Sequence, residues 1–418
     1  MRFIHTADLH IDSPLLGLER YEGAPVERMR SATRQAFRNV IELCLDSRAP
    51  LLLLAGDVFD EDWRDYNTGL FFIGELNRLR DVGTQVLMVR GNHDAASEVS
   101  RHLTLPPHAR LLSAEEAETV VLDDLGVAVH GVSYSRREVT ESLVPLFPPP
   151  VDGLTNVGLL HANVGAASGH GNYSPCRLDE LAALGYDYWA LGHVHERQVL
   201  SAEPCIAYSG VTQGRHAREP GPRGCLLVRA SDSGLAVEPF DTDVVRWAEL
   251  TVRPGVEVGS VEGLLAMIRD RLDQEARAAE GRLLAARVTI EGPFEGTAEL
   301  YDDDRRQQLL AEIRAIPDHL GIDAWIEKVN LRTSPLVPLD ELRRGEGVVA
   351  ELLRRTAALM RDDDALPGIQ EALRPLVERA GPQLREAGLD LTDPRVLRDL
   401  VAQAEVALTL HLQGHLSS

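Results

Sequence analysis

Leu51-Leu52-Leu53-Leu54-Ala55-Gly56-Asp57 is an unbroken apolar run, then a glycine, then a carboxylate. A run of this length closed by glycine reads as a strand buried on both faces, the state of a central strand in a parallel sheet. Its carboxylate then stands at the carboxyl edge of the sheet, where the active sites of open α/β sheets lie. Working outward, residues 2–5 form a short strand before it. Residues 85–89 form another after it, stopped by Gly91. Between the first two, Val26, Met29, Ala36, Phe37, Val40, Ile41 and Cys44 recur with a helical period. A second helical stretch covers 67–82. This β-α-β-α-β order predicts parallel strands with covering helices.

Beyond residue 118 the strand signals come closer together, at 119–122, 127–131, 157–161, 188–191, 205–209, 224–229 and 235–240. They predict a second, more antiparallel sheet. Residues 246–335 read as a small α/β domain, with strands at 247–252, 284–290 and 324–329 and helices at 261–276 and 307–316. From 336 to 418 the pattern is helical. The strongest segment, 394–412, carries an apolar stripe at Val396, Leu400, Ala404, Leu408 and Leu412, with Leu397 and Val401 alongside. The expected organisation is therefore 1–245, 246–335 and 336–418.

The 418 residues carry 43 basic and 65 acidic side chains, a net charge of −22. In residues 1–240 alone, 21 arginines face 32 acidic residues. No part has the basic excess of a nucleic-acid-binding domain, so any polyanionic substrate must be held by local arginines or by metal ions. No apolar run approaches the length of a membrane span, and the first residues contain no apolar signal core. Cys44, Cys176, Cys205 and Cys225 are widely spaced, which predicts reduced thiols in a cytosolic protein.

Five short motifs fall at strand ends. Asp8-Leu9-His10 follows the first strand, and alternate residues of an extended segment share a face. Gly56-Asp57 ends the leucine strand. Gly91-Asn92-His93-Asp94 crowds an amide oxygen, an imidazole and a carboxylate into one turn, and turn chemistry explains only its Gly and Asn. His161 closes the run 157–160. Gly192-His193-Val194-His195 offers two imidazoles at i and i+2. Singly, most of these are weak. Together, Asp8, His10, Asp57, Asn92, His161, His193 and His195 supply nitrogens, carboxylates and one amide oxygen, without a thiolate. That donor set suits Mn²⁺, Fe²⁺ or Zn²⁺. Seven donors are too many for one ion with an open position, and they fit two ions sharing a carboxylate. His93 is left over beside them, suited to protonate a leaving oxygen.

These motifs resemble the signature of the calcineurin-like metallophosphoesterases. The flanks His5-Thr6-Ala7-Asp8-Leu9-His10, Gly56-Asp57-Val58-Phe59-Asp60 and Tyr188-Trp189-Ala190-Leu191-Gly192-His193-Val194-His195-Glu196 are similar to its DNA-repair nuclease branch of SbcD and Mre type. His161-Ala162-Asn163-Val164 and Tyr208-Ser209-Gly210-Val211-Thr212-Gln213-Gly214-Arg215-His216 resemble its bacterial YhaO subgroup. The resemblance implies an αββα sandwich with an α/β capping domain and a helical C-terminal region. It implies that Asp8, His10, Asp57 and His195 hold a first metal, and that Asp57, Asn92, His161 and His193 hold a second. His93 would be the catalytic histidine and Asp94 its orienting partner. One departure stands out: several branch members have a histidine where this chain has Asp60, and an ionised carboxylate cannot donate to phosphate.

The implied function is a Mn²⁺-dependent DNA exonuclease and endonuclease in DNA repair. Its implied partner is an SbcC-like or YhaN-like ATPase, and its implied state a homodimer. A phosphatase or phosphodiesterase acting on a small molecule shares every metal ligand, and the acidic balance favours it. A scaffold without activity would have lost ligands, and none is missing. Candidate phosphate contacts are Arg136 and Arg137, after the strand at 127–131, and Arg215 and His216, in the loop after the strand ending at 209.

Overall fold

A computed structural model describes residues 1–13, 23–60, 65–97, 103–165, 171–231, 234–255, 257–300, 302–334, 336, 339–362, 365–386 and 389–416, apart from the side chains of 96, 298, 339, 386 and 410–416. Leu412 of the expected stripe therefore lies outside the described side chains. The chain divides into two compact units, Met1–Ala248 with Ala279–Ala285, and Glu249–Ala278 with Ala286–Ser418.

In chain order the first unit contains β1 (Arg2–Thr6), α1 (Val26–Ser47), β2 (Leu51–Ala55), α2 (Tyr66–Arg78), β3 (Gln85–Val89), α3 (Asn92–Ala96), β4 (Ala109–Leu111), β5 (Glu118–Leu122), β6 (Val127–Gly131), β7 (Thr155–His161), α4 (Leu178–Ala183), β8 (Tyr188–Gly192), β9 (Gln198–Ala202), β10 (Cys205–Tyr208), β11 (Gly224–Ser231) and β12 (Gly234–Asp241). One sheet has the order β12-β11-β1-β2-β3-β4 and the other β5-β6-β7-β8-β10-β9. As expected from the opening pattern, β1 to β4 are parallel.

The second sheet corrects the sequence expectation. Its central strands β6, β7, β8 and β10 are parallel, and only the edges β5 and β9 run antiparallel. The connections 132–154 and 162–187 are crossovers rather than hairpins, which parallel neighbours require. The hairpin β11–β12 also leaves that sheet and joins the first one beside β1. Both faces of β11 are apolar: Cys225 and Leu227 pack with the α1 side, Leu226 and Val228 with the interior between the sheets. A strand apolar on both faces needs a covered sheet on each side.

β2 shows how the layers assemble. Leu52 and Leu54 point to Phe37, Ile41, Phe72 and Leu76 of α1 and α2. Leu51, Leu53 and Ala55 point to Val157, Leu159, Tyr188 and Ala190 of the second sheet. That sheet's outer face packs Trp189, Leu191, Ile206 and Tyr208 against Phe147, Leu181 and Tyr186. The result is the αββα sandwich. Each fully buried leucine contributes about 1.5–3 kcal/mol. This anchoring allows the segments that follow the strands to hold unfavourable backbone conformations.

A third sheet has the order β13-β14-β15, from β13 (Val245–Val252), β14 (Leu283–Pro293) and β15 (Ala324–Ser334); β15 and the later residues of β13 and β14 belong to the second unit. The helices of the second unit are α5 (Val261–Ala278), α6 (Thr297–Leu300), α7 (Asp303–Leu320), α8 (Leu339–Arg344), α9 (Val348–Arg361), α10 (Leu366–Glu386) and α11 (Pro394–Leu416). Most of 246–335 and the helical residues after it fall in the same compact unit, with α11 touching α6. The buried face of α11 is also offset by one residue from the expected stripe. Leu397, Glu405 and Thr409 are buried, while Ala404 and Leu408 are exposed. A polar residue occupies the inner face because Glu405 accepts two hydrogen bonds from Arg343 Nη2, at 3.0 and 2.9 Å, and one from Thr356.

Candidate metal centre

All five motifs converge at the carboxyl edges of β1, β2, β3, β7 and β8. Segment 8–11 is zipped to segment 56–58 by Asp8 N to Gly56 O (2.9 Å), His10 N to Asp57 O (3.1 Å) and Ile11 N to Val58 O (3.0 Å). The backbone there is strained. Asp8, His10, Asp57 and His193 have φ of 51, 44, 53 and 105°, a region that side-chain-bearing residues rarely adopt. Each such residue costs on the order of 1–3 kcal/mol and persists where the surroundings over-determine it. Space is equally tight: a Cβ on Gly91 would lie 2.2 Å from Asp57 Oδ1, and one on Gly56 2.6 Å from His161 Nδ1.

Ring orientations follow from what each Nδ1 meets. His10 Nδ1 faces Asp60 Oδ1 at 2.6 Å, His195 Nδ1 faces Glu219 Oε1 at 2.6 Å, and His161 Nδ1 faces the Ala55 carbonyl at 2.9 Å. An ionised carboxylate or a carbonyl only accepts, so the proton of each neutral ring sits on Nδ1 and Nε2 carries a bare lone pair. The two Nε2 atoms of His10 and His195 stand 3.3 Å apart. His161 Nε2 stands 3.1 Å from Asn92 Oδ1 and 3.4 Å from Asp57 Oδ2. Lone pairs that face one another repel unless a proton or a metal ion lies between them. Asp8 with His10 and His195, Asp57 with Asp8 and His161, and Asp60 with His10 and His93 each place ligand atoms within 4.8 Å of one another. The donors therefore fit divalent metal ions.

Electrostatics agrees. Burial pushes the Asp8 carboxyl up to about 7; His195 opposes that shift and neighbouring Asp57 adds to it. Burial lowers His161 to about 3 and His10 to about 4, the latter helped by Arg215. Burial alone would lower His195, but Glu219 and Asp8 raise it. Burial would likewise raise Asp60 and Glu219, yet His10 and His195 respectively hold them well below the ordinary carboxylate range. Asp8 and Asp57 are two buried carboxylates side by side, and burying such charge unpaired is costly.

Some expected residues are placed differently. His193 turns Nε2 to the Gly171 carbonyl at 2.7 Å, and its ring centroid lies 5.2 Å from that of His161. Its amide donates to Asp8 Oδ2 at 3.0 Å. The Asp94 carboxylate accepts from the amides of Val58 (3.0 Å), Phe59 (3.0 Å) and Gly91 (3.2 Å). It braces the loop that carries Asp57, and the carboxylate beside the His93 ring is instead Asp60, 3.5 Å from Nδ1. The His93 ring also packs edge-on to His10, 5.0 Å between centroids.

Arg215 reaches the site, with Nη1 3.7 Å from Asp60 and Nη2 3.7 Å from Glu219, and His216 Nε2 lies 3.8 Å from Glu219. Arg136 is turned to the surface, where its described hydrogen bonds go to the Glu141 carboxylate and the Glu138 carbonyl. Arg137 is exposed. Two residues support the site in a way the sequence does not show. Asp60 looked like a departure from pattern, and Glu219 is a lone acid among Arg215, His216 and Arg218. Its position four residues after Arg215 in the loop was the one available signal.

This fold and this site define a calcineurin-like metallophosphoesterase, and the chain belongs to that family. The calcineurin-like phosphoesterase model matches residues 1–197, and the model for the middle domain of metallophosphoesterase YhaO matches 247–334. The chain is 31% identical over 296 residues to the protein described as "Uncharacterized metallophosphoesterase YhaO" of Bacillus subtilis (strain 168), covering 70% of this chain and 72% of that one. It is 26% identical over 288 residues to the DNA double-strand break repair protein Mre11 of Methanopyrus kandleri, covering 60% of this chain and 59% of that one. It is 26% identical over 307 residues to the protein of the same name from Saccharolobus solfataricus, covering 68% and 74%. Among the described residues, no helix is long and apolar enough to cross a membrane.

Proposed function

We propose that this chain hydrolyses phosphodiester bonds in DNA, as an exonuclease and endonuclease of DNA repair, with two divalent ions and Mn²⁺ as the first choice over Fe²⁺ or Zn²⁺. The observation that carries the two-metal reading is the convergence of bare Nε2 atoms, His10 on His195 and His161 on Asn92 and Asp57. Asp8, His10, Asp57 and His195 would hold one ion, and Asp57, Asn92, His161 and His193 the other. A bound ion pair supplies hydroxide at neutral pH and offsets charge on a phosphoryl oxygen. Beside it, the half-buried His93 ring, flanked by Asp60 and His10, would hold a proton for the leaving oxygen. Arg215 lies next to the same carboxylate and would meet a phosphate.

DNA as substrate is supported by the relatives named for double-strand break repair and by the matching YhaO middle domain. On the same ground we propose an SbcC-like or YhaN-like ATPase partner, a homodimer and a cytoplasmic setting. The acidic balance of residues 1–240, 21 arginines against 32 acidic residues, favours the second reading, a phosphatase or phosphodiesterase on a small phosphorylated molecule. A Mn²⁺-supplemented assay on hairpin, blunt and single-stranded DNA, run beside bis-p-nitrophenyl phosphate and with His93→Ala as control, separates them. Cleavage of the ester but of no DNA would overturn the nuclease reading in favour of the second.

A further inference from the structure

Two carboxylates from distant segments grip the two first-site histidines from behind. Asp60, just after the β2 loop, faces His10 Nδ1, and Glu219, in the loop before β11, faces His195 Nδ1, both at 2.6 Å. Their side chains are 13% and 7% exposed, so neither contact is diluted by solvent. Arg215 joins them. Its guanidinium lies 3.7 Å from each carboxylate, and its amide donates to Glu219 Oε2 at 2.8 Å. Its Nη1 also donates to Ser13 Oγ at 3.2 Å. Asp60 and Glu219 thus form the two jaws of a bracket, with Arg215 as its back.

From this geometry we infer that Asp60, Glu219 and Arg215 are positioning residues that set the metal affinity of the His10–His195 site alone, an inference that rests on the two-metal reading above. A carboxylate accepting from Nδ1 fixes the tautomer, holds the ring plane and makes Nε2 a stronger donor, and loss of such a partner typically weakens metal binding about 10–100-fold. Among the described residues no equivalent carboxylate backs His161, whose Nδ1 meets the Ala55 carbonyl. The two sites are therefore built differently: one is braced by charge, the other by backbone. A mutation in the bracket should separate their affinities.

The test uses the full chain stripped with chelator, then titrated with Mn²⁺ by calorimetry beside elemental analysis, with melting of each stripped protein as the fold control. Wild type should bind two ions. Asp60→Asn and Glu219→Gln should each weaken one site about 10–100-fold, leave the other unchanged, and keep the stripped melting curve. Equal weakening of both sites, or of neither, overturns the inference. Wild type that binds no divalent ion would instead overturn the two-metal reading itself. The two variants lie in separate segments, so if one fails to fold the other still decides.

Discussion

His10 and His195 point their Nε2 atoms at one another across 3.3 Å while each Nδ1 is held by a carboxylate. Two neutral rings so arranged repel. In the metal-free protein, a proton shared between them relieves that repulsion, consistent with the raised affinity of His195 for a proton. Metal and proton therefore compete for one place. Mn²⁺ titration at pH 6 and pH 8 in weakly buffering and strongly buffering salts should show proton release on binding, more at pH 6. Binding with no pH dependence and no released proton would contradict this arrangement.

Asp57 is the carboxylate common to both expected ligand sets. Its Oδ2 faces His161, and its Oδ1 accepts from the His93 amide at 2.9 Å. Asp57→Ala should abolish activity and lower the occupancy of both ions, whereas His10→Ala should weaken mainly one. Elemental analysis is the measurement, and retention of two ions in Asp57→Ala would remove the bridging role.

His93→Ala should leave metal content and melting temperature unchanged and cut turnover about 10²–10⁴-fold, the usual contribution of a general acid or base. The ring is a third exposed, and it groups with Asp60 and His10 rather than with Asp8, Asp57, His161 or His195. Loss of an ion in this variant would place His93 among the ligands.

The sequence made the donors legible because each follows an apolar run that ends at a strand terminus, where chemistry-bearing residues have no packing reason to be. It left the supports hidden. Asp60 and Glu219 sit in polar loops, where an acid ordinarily faces water, and only the fold shows them closed against histidines. Asp94 was legible as part of the motif but not in its task, since adjacency to His93 in sequence says nothing of where its carboxylate turns. The parallel centre of the second sheet was missed because strand spacing alone does not distinguish a crossover from a hairpin with a long loop.

Gly91→Ala should disrupt the centre without replacing a ligand. The added Cβ would lie 2.2 Å from Asp57 Oδ1 and 2.8 Å from His161 Cε1. Overpacking of this kind costs about 1–3 kcal/mol, so thermal melting in chelator should drop and metal stoichiometry should fall with it. Unchanged melting and full metal content would show that the turn can shift.

His5 offers a pH handle away from the donors. It is fully buried, Nδ1 meets the Tyr188 hydroxyl at 2.9 Å and Nε2 the Leu191 carbonyl at 3.0 Å, and burial lowers it from 6.5 to about 3. Above pH 6.5 it is neutral whether folded or not and adds no pH dependence. Between 6.5 and 3 the unfolded chain binds a proton that the folded one refuses, so stability falls as pH falls. At pH 5 that amounts to about 2 kcal/mol. Urea unfolding of wild type and His5→Gln in chelator, at pH 7.5 and pH 5, should show a smaller acid loss in the variant. Equal losses would mean His5 protonates in the folded state.

Glu405 tests the helical region by itself. Its side chain is 3% exposed, and Arg343 from α8 and Thr356 from α9 both donate to it from across the bundle. Nearby, Leu397 packs with Leu366 and Leu391 to close the apolar part of the same bundle. Removing one member of a fully buried pair costs about 3–5 kcal/mol because the other is left uncompensated. Arg343 is 21% exposed and can partly rehydrate, so Glu405→Ala should cost about 2–3 kcal/mol. Hydrogen exchange should then rise across α8, α9 and α11 and stay unchanged in β1, β2 and β3. Replacing all three partners with apolar residues of similar volume should recover much of the loss. If exchange rises equally in both compact units, the pair supports the whole chain and not the bundle that contains it.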